Sequence, residues 1–92
     1  MSKKRDRLEI IRDILDLLRI KGDKVRPTHI MYKANLSHQM LTDYLNELKE
    51  KKLIEEKKDK KNKKIFSLTK KGFKFLEDYS MIRKFMDSYG LE

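Results

Sequence analysis

The first third of the chain has a helical pattern of apolar residues. Four of them are spaced three or four positions apart: Leu8, Ile11, Leu15 and Leu18. Three more widen the same face: Ile10, Ile14 and Leu17. This period predicts an amphipathic helix from about residue 4 to residue 21, with charged residues on the opposite face. Gly22 follows the last apolar turn and is expected to end the helix.

Two shorter helices are predicted next. Pro27 suits the first turn of a second helix that reaches about Ala34, and Asn35 suits the turn after it. Ser37 is a favourable N-cap for a third helix. One face of the third helix carries apolar residues at positions i, i+3, i+4 and i+7: Leu41, Tyr44, Leu45 and Leu48. Because the second helix reaches about Ala34 and Ser37 already caps the third, the connection between them is predicted to be tight.

A run of lysines, KKDKKNKK from Lys57 to Lys64, interrupts the pattern after the third helix. Strand-forming residues stand on both sides of it: Leu53, Ile54, Ile65, Phe66 and Leu68. This arrangement predicts a two-stranded hairpin whose tip lies near residues 59–62.

A last helix is predicted from Thr69, as its N-cap, to about Tyr89, and Gly90 ends it. Phe73 and Leu76 are expected to return to the core. A second stripe on this helix, called here the tail stripe, has the 4-3-4-3 spacing of a coiled-coil seam: Phe75, Tyr79, Ile82, Met86 and Tyr89. Such spacing favours pairing with the same helix of a second copy, with ordinary core packing as the alternative.

Length and charge narrow the class of protein. Ninety-two residues suffice for one domain with a modest core. The formal net charge is +9, and the segment between Lys49 and Lys74 holds twelve lysines against four acidic residues. Almost all of the excess charge therefore lies on one third of the chain, which favours a polyanionic partner.

Several other classes find no support in the sequence. Without cysteine there is neither a disulfide framework nor a thiolate zinc site, and His29 and His38 are the only histidines. We identify no catalytic constellation, no cofactor or metal site and no pocket motif for a small molecule. No signal segment or stretch of transmembrane length is visible. We therefore expect a non-enzymatic protein of the cytoplasm, associated with the nucleoid.

The order of these elements predicts a mainly α fold with a small β-hairpin. Three helices followed by a lysine-tipped hairpin are typical of a winged helix-turn-helix domain, here residues 1–69. Residues 70–92 would form a C-terminal, coiled-coil-like helix that pairs two copies in a homodimer.

The segment HIMYKANLSHQMLTDYLNELKEKKLIE, followed by FSLTKKGFKFLED, resembles the archaeal winged-helix DNA-binding proteins of the ten-kilodalton Sulfolobus type. The most specific parts are IMYKANLS at 30–37, the apolar spacing of the third helix, and LTKKG at 68–72. The resemblance implies binding to double-stranded DNA with limited sequence preference. It also implies dimerisation through antiparallel C-terminal helices.

The candidate DNA contacts fall into two groups. Those of the hairpin and its flank are lysines suited to phosphates: Lys51, Lys52, Lys57, Lys58, Lys60, Lys61, Lys63 and Lys64. Those of the third helix lie on or beside its outward face: Ser37, His38, Gln39, Thr42, Asn46 and Lys49. Gln39 and Asn46 are suited to adenine edges, whereas Asp43 and Glu50 on the same face would repel phosphates.

The sequence thus favours a DNA-binding protein of chromatin type or a transcription regulator. Two other functions fit the same fold and charge. A winged helix can act as a protein-interaction module with an acidic partner, and the lysines would also attract structured RNA.

Overall fold

The computed structural model describes residues 6–22 and 24–91, and its elements follow the predicted order. They are α1 (Arg7–Lys21), α2 (Pro27–Lys33), α3 (His38–Glu50), β1 (Ile54–Lys58), β2 (Lys64–Leu68) and α4 (Lys70–Ser88). The predicted mainly α fold with one hairpin is confirmed.

Helix α1 is fixed at both ends by local hydrogen bonds. The Asp6 carboxylate accepts from the Glu9 backbone N–H, and the Glu9 carboxylate accepts from that of Asp6, which forms a capping box. Gly22 ends the helix at φ 93°, and its N–H donates to the Leu18 carbonyl. The predicted start at residue 4 lies outside the described residues. Of the predicted apolar face, all but Leu8 is buried; that side chain is 53% exposed.

The connection between α2 and α3 is as short as the sequence predicted. Asn35 adopts φ 56°, a conformation that asparagine tolerates well, and the Leu36 N–H donates to the Met31 carbonyl. The Ser37 hydroxyl then accepts from the Met40 N–H at 3.1 Å and caps α3. Ala34 and Leu36 are buried. The turn itself therefore packs into the core and holds α3 at a fixed angle to α2.

Strands β1 and β2 form an antiparallel pair in register from Ile54 opposite Leu68 to Lys58 opposite Lys64. Val25, just before α2, adds an isolated bridge by exchanging two backbone hydrogen bonds with Phe66. No pattern in the sequence predicted this bridge. It ties the hairpin to the start of α2, so the hairpin is not free to swing away from the helices.

Helix α4 packs against α1 and the base of the hairpin. The Thr69 hydroxyl accepts from the Gly72 N–H at 3.0 Å and caps the helix as predicted. Gly72 is buried, and Phe75 and Leu76, three and four positions later, pack on the core. Phe73 lies about 100° further round the helix and is 47% exposed, so the prediction that it reaches the core is wrong.

Within residues 6–22 and 24–91, none of the helices has both the length and the hydropathy needed to cross a lipid bilayer.

Candidate nucleic-acid interface

The hairpin β1–β2 and its connecting residues 59–63 form a projection that is called here the wing. Its tip turns where the sequence predicted. The Asp59 N–H donates to the Lys63 carbonyl and the Asn62 N–H to the Asp59 carbonyl, both at 2.9 Å. Asn62 has φ 63°, which asparagine adopts more readily than most residues. The tip is therefore a hydrogen-bonded turn and not an open loop.

One carboxylate organises this turn. Asp59 Oδ1 accepts from the backbone N–H groups of Lys61 and Lys63, both at 2.9 Å, and Oδ2 accepts from Arg26 Nη2 at 3.1 Å. The hydrogen bond from the Lys63 backbone is the main cause that lowers the pKa of Asp59 below its ordinary value. The hydrogen bond from the Lys61 backbone and the charges of Arg26 and Lys63 lower it further. The carboxylate is thus ionised at neutral pH and ties the tip to the N-cap of α2.

The wing carries a dense group of exposed ammonium groups. All six of its predicted contact residues are exposed: Lys57, Lys58, Lys60, Lys61, Lys63 and Lys64. The flanking residues Lys51 and Lys52, between α3 and β1, are exposed as well. The structure therefore brings the predicted hairpin and flank lysines to the surface on one continuous segment.

The outward face of α3 presents polar side chains, several of which already have partners. Ser37, His38, Gln39, Thr42 and Asn46 are all exposed. The Gln39 amide donates to Asp43 Oδ1 at 3.0 Å, and the Thr42 hydroxyl donates to the His38 carbonyl at 3.0 Å. This hydrogen bond orients the Gln39 amide towards a carboxylate and leaves its second N–H and its oxygen for a base edge.

Lys49 differs from the other predicted contacts because it is half-buried and paired. Its Nζ lies 2.6 Å from Glu56 Oε1 on β1. This hydrogen bond is the main cause that lowers the pKa of Glu56, and the charges of Lys49, Lys64 and Lys58 add to it. The ion pair joins the C-terminal half of α3 to the wing, so the two parts of the surface form one unit.

The flank of α3 away from Lys49 contacts α1. Glu47 forms an ion pair with Arg7, and the Arg7 guanidinium lies 5.9 Å from the Tyr44 ring centroid. The hydrogen bond from Arg7 is the largest cause that lowers the pKa of Glu47. These contacts leave the polar face of α3 free towards solvent while its flanks are held.

The tail stripe divides into a covered part and an open part. Phe75, Tyr79 and Met86 are half-buried, whereas Ile82 and Tyr89 are 60% and 68% exposed. The Phe75 and Tyr79 rings stack at 6.0 Å between centroids. Phe85, beside the stripe, is 62% exposed and its ring lies 5.1 Å from that of Tyr89. The far half of α4 therefore keeps a large apolar surface open.

Two parts of this surface were missed in the sequence. Arg26 and Asp59 are 33 residues apart, and no periodicity connects them. An aspartate before a predicted turn was a usable signal, because its side chain commonly bonds backbone N–H groups two residues on. Glu56 carried no such signal. Among the described residues, no group of three or more histidine and acidic side chains is arranged to hold a metal ion.

Comparison with known proteins supports the same fold. A family model described as "Winged helix-turn-helix" matches residues 4–87. No curated protein matches the chain in sequence. A similar solved structure is Sso10a-2, a DNA-binding protein from Sulfolobus solfataricus, with a TM-score of 0.74 and 26% identity over 92% of this chain and 88% of that one. The resemblance predicted from the sequence is thereby confirmed.

A second group of similar structures comes from Staphylococcus aureus. MepR, a transcription regulator of the multidrug efflux pump MepA, matches with a TM-score of 0.77 and 23% identity over 87% of this chain. A MepR–DNA complex matches with a TM-score of 0.71 and 23% identity over 86% of this chain. This chain spans about three fifths of the length of MepR, 60% and 58% in the two structures. At this identity the likeness concerns the fold.

Proposed function

Because the chain belongs to the winged helix-turn-helix family, we propose that it binds double-stranded DNA without catalysing a reaction. The observation that carries the proposal is the wing, whose six lysines are exposed and which the Lys49–Glu56 ion pair joins to α3. In this fold α3 enters the major groove while the wing meets the phosphate backbone or the minor groove.

Phosphates are the main contacts in this proposal. Lysine carries a compact, mobile charge, which suits an anion of any orientation but does not distinguish bases. Exposed acidic residues are scarce on the wing: Glu55 lies 3.8 Å from Lys57, and the Asp59 carboxylate is engaged by the turn. Most of the ammonium charge is thus available to a polyanion.

The side-chain contacts on α3 support a limited sequence preference. Gln39 is bonded to Asp43, and the carboxylates of Asp43 and Glu50 on the same face oppose close approach of phosphates. Among the described residues, none donates to or accepts from the side-chain amide of Asn46. Of Gln39 and Asn46, Asn46 is therefore the better placed to pair with an adenine edge. One ready reader gives a weak preference and not a strict target.

The relatives favour the same function. Sso10a-2, a DNA-binding protein, is 26% identical to this chain in a match that covers 88% of its length. MepR is a transcription regulator and has a structure with DNA. Both a chromatin-type and a regulatory role on DNA, in the cytoplasm with the nucleoid, are therefore included in the proposal.

A homodimer through α4 is the second part of the proposal. Ile82, Phe85 and Tyr89 form an open apolar surface along the far half of the helix. Pairing of two such helices would cover it and would hold two wings on one duplex, which raises affinity through effective concentration.

The test is fluorescence anisotropy with two unrelated DNA duplexes and a structured RNA across a salt series. About five neutralised phosphates per monomer should give a slope of log K against log salt near −4 to −5. Similar, steep binding to both duplexes supports the proposal, and a large gap between them would favour a sequence-specific regulator. Tighter binding to RNA, or no binding to any of them at low salt, would contradict it.

A pair of matched variants locates the contact. Lys60→Gln with Lys61→Gln removes two charges from the wing, and Lys74→Gln with Lys84→Gln removes two from α4. We expect the wing variant to lower affinity for all duplexes and to flatten the salt slope by about 2. The α4 variant should change the slope much less, and equal effects would exclude the wing as the main contact.

A further inference from the structure

Four charged side chains lie near the junction of α3 and the wing: Lys49, Glu56, Lys58 and Lys64. Lys49 on α3 forms an ion pair with Glu56 on β1, with 2.6 Å between Nζ and Oε1. The two side chains are 34% and 23% exposed, so the pair lies at the surface but is partly shielded. It sits at the junction of the two parts of the proposed DNA-binding surface.

Two further lysines share the face of the wing on which Glu56 lies. Glu56 and Lys58 are two positions apart on β1 and therefore point to the same side. Lys58 lies directly opposite Lys64 in the strand register, and Glu56 lies opposite Phe66. Like charges directly opposite one another destabilise a strand pair. An anion near them would relieve this repulsion.

Glu56 is the anion that the protein itself supplies. The hydrogen bond from Lys49 and the charges of Lys49, Lys64 and Lys58 all favour its ionised form and lower its pKa. A single carboxylate bonded to Lys49 cannot neutralise three ammonium groups. The group therefore retains a net positive charge after Glu56 is counted.

We propose that Lys49, Lys58 and Lys64 form a phosphate subsite in which Glu56 is a resident anion that competes with a backbone phosphate of DNA. This inference rests on the proposed DNA binding and adds a residue that limits it. When a phosphate approaches, it engages Lys58 and Lys64 first and then competes with Glu56 for Lys49. Glu56 thereby weakens binding to DNA while it keeps Lys49 in place beside the wing.

The decisive experiment compares Glu56→Gln with Glu55→Gln by duplex anisotropy across salt. Both substitutions remove one negative charge from β1, but residue 55 lies on the other face of the strand, next to Lys57. Releasing one phosphate contact should raise affinity for Glu56→Gln about 3- to 10-fold at 0.1 M salt and steepen the salt slope by about 0.9. Glu55→Gln should raise affinity by about twofold or less because its charge is exposed and screened.

A double-mutant cycle with Lys49→Gln tests the mechanism. The increase caused by Glu56→Gln should shrink when Lys49 is absent, because much of the gain comes from releasing that lysine. Lys49→Gln alone should weaken binding more than Lys51→Gln, since it leaves Glu56 uncompensated beside the subsite. This second comparison does not depend on the folding of Glu56→Gln, and thermal unfolding of each variant accompanies the titrations.

The outcomes separate this inference from the function beneath it. If the unaltered protein binds duplex DNA but Glu56→Gln and Glu55→Gln have equal effects, the subsite is wrong and DNA binding stands. A loss of affinity in Glu56→Gln would mean that Glu56 only positions Lys49, which also overturns the competition. If neither the unaltered protein nor any variant binds DNA, the proposed function and the subsite fail together.

Discussion

Arg26 at the N-cap of α2 and Asp59 at the wing tip are joined by a 3.1 Å contact between Nη2 and Oδ2. The other oxygen of the same carboxylate accepts two backbone N–H groups of the tip. One side chain thus closes the turn and connects it to the helix-turn-helix. The lysines of the tip are held on an ordered backbone although they are exposed.

Replacing Asp59 with Ala should weaken DNA binding even though it makes the protein more positive. The loss of the turn leaves several residues to be ordered on binding, and ordering costs on the order of 1 kcal/mol for each residue. We expect a drop in affinity of about 3- to 10-fold, measured by duplex anisotropy. Amide hydrogen exchange at Lys61 and Lys63 should also become faster.

Glu55→Ala is the matched control for that substitution. It removes the same charge from the same hairpin, but the side chain only approaches Lys57 at 3.8 Å. Its affinity for DNA should be unchanged or slightly higher. If Asp59→Ala also bound DNA more tightly, net charge and not the order of the tip would control the interaction.

Acidification should destabilise the fold through carboxylates whose pKa is lowered. Glu47, Glu56 and Asp59 all have folded pKa values below their ordinary values, 4.5 for Glu and 3.8 for Asp. The unfolded chain therefore binds more protons in this range, so stability is complete above about pH 5 and declines as the pH falls through the lowered values. Thermal unfolding between pH 7 and pH 3 measures this decline.

The variant Glu56→Gln tests the share of one ion pair in that decline. The difference in Tm between this variant and the unaltered protein should be largest near pH 7 and should shrink towards pH 3. Glu50→Gln on the exposed face of α3 reports the general effect of losing one negative charge. A difference that grows on acidification would contradict the assigned direction for Glu56.

At Gly72, α4 lies close to the base of the hairpin. A Cβ at this position would lie 2.4 Å from the Leu53 carbonyl oxygen and 2.4 Å from Leu68 Cδ1. Alanine favours a helix over glycine by about 1 kcal/mol, but overpacking against a backbone atom typically costs about 1–3 kcal/mol. The same Leu53 carbonyl accepts from Thr69 and cannot easily move. We therefore expect Gly72→Ala to lower the free energy of unfolding in urea titrations.

A matched substitution at the other end of α4 separates the two effects. Gly90 has φ 73°, and a Cβ added there would meet no heavy atom within 4 Å. Gly90→Ala therefore introduces only backbone strain of about 1–2 kcal/mol at a helix end. A loss at Gly72→Ala no larger than that at Gly90→Ala would show that the helix can shift away from the hairpin.

The elements of the fold were predictable because each carries a local signal. Ser37 and Thr69 are good N-caps, and both hydroxyls accept the expected backbone N–H. The orientation of α4 was harder to predict from the sequence. Phe73 and Phe75 are equally apolar, and the close packing of Gly72 against Leu53 and Leu68 accompanies the orientation in which Phe75 faces the core. That contact depends on Leu53 and Leu68, which no local pattern connects with residue 72.

The candidate interface was predictable in its charge and not in its internal pairing. A run of lysines between two strands identifies the wing, because its charge and its strand-forming borders are properties of neighbouring residues. The partners of Lys49, Gln39 and Asp59 depend on how elements pack in three dimensions. These contacts decide which side chains are free to meet DNA.

Substitution of the two phenylalanines tests the orientation of α4 directly. Phe75 is half-buried and packs on the core, so Phe75→Ala should cost about 1–3 kcal/mol, less than the roughly 3–5 kcal/mol typical of a fully buried Phe. Phe73→Ala removes a side chain that is 47% exposed and should cost less. Urea unfolding of both variants measures the difference, and a greater loss at Phe73 would contradict this packing of α4.

The proposed dimer predicts different effects at two neighbouring positions of α4. Ile82 belongs to the tail stripe and Met81 does not, yet both side chains are largely exposed, 60% and 67%. A glutamate in the seam of two paired helices loses its hydration, whereas one placed about 100° away stays in water. Ile82→Glu should therefore give a monomer and Met81→Glu should leave the dimer intact, as measured by light scattering after gel filtration over a range of concentrations. A monomer mass for the unaltered protein at every concentration would exclude the dimer, and equal dissociation by both substitutions would place the contact on another face of the helix.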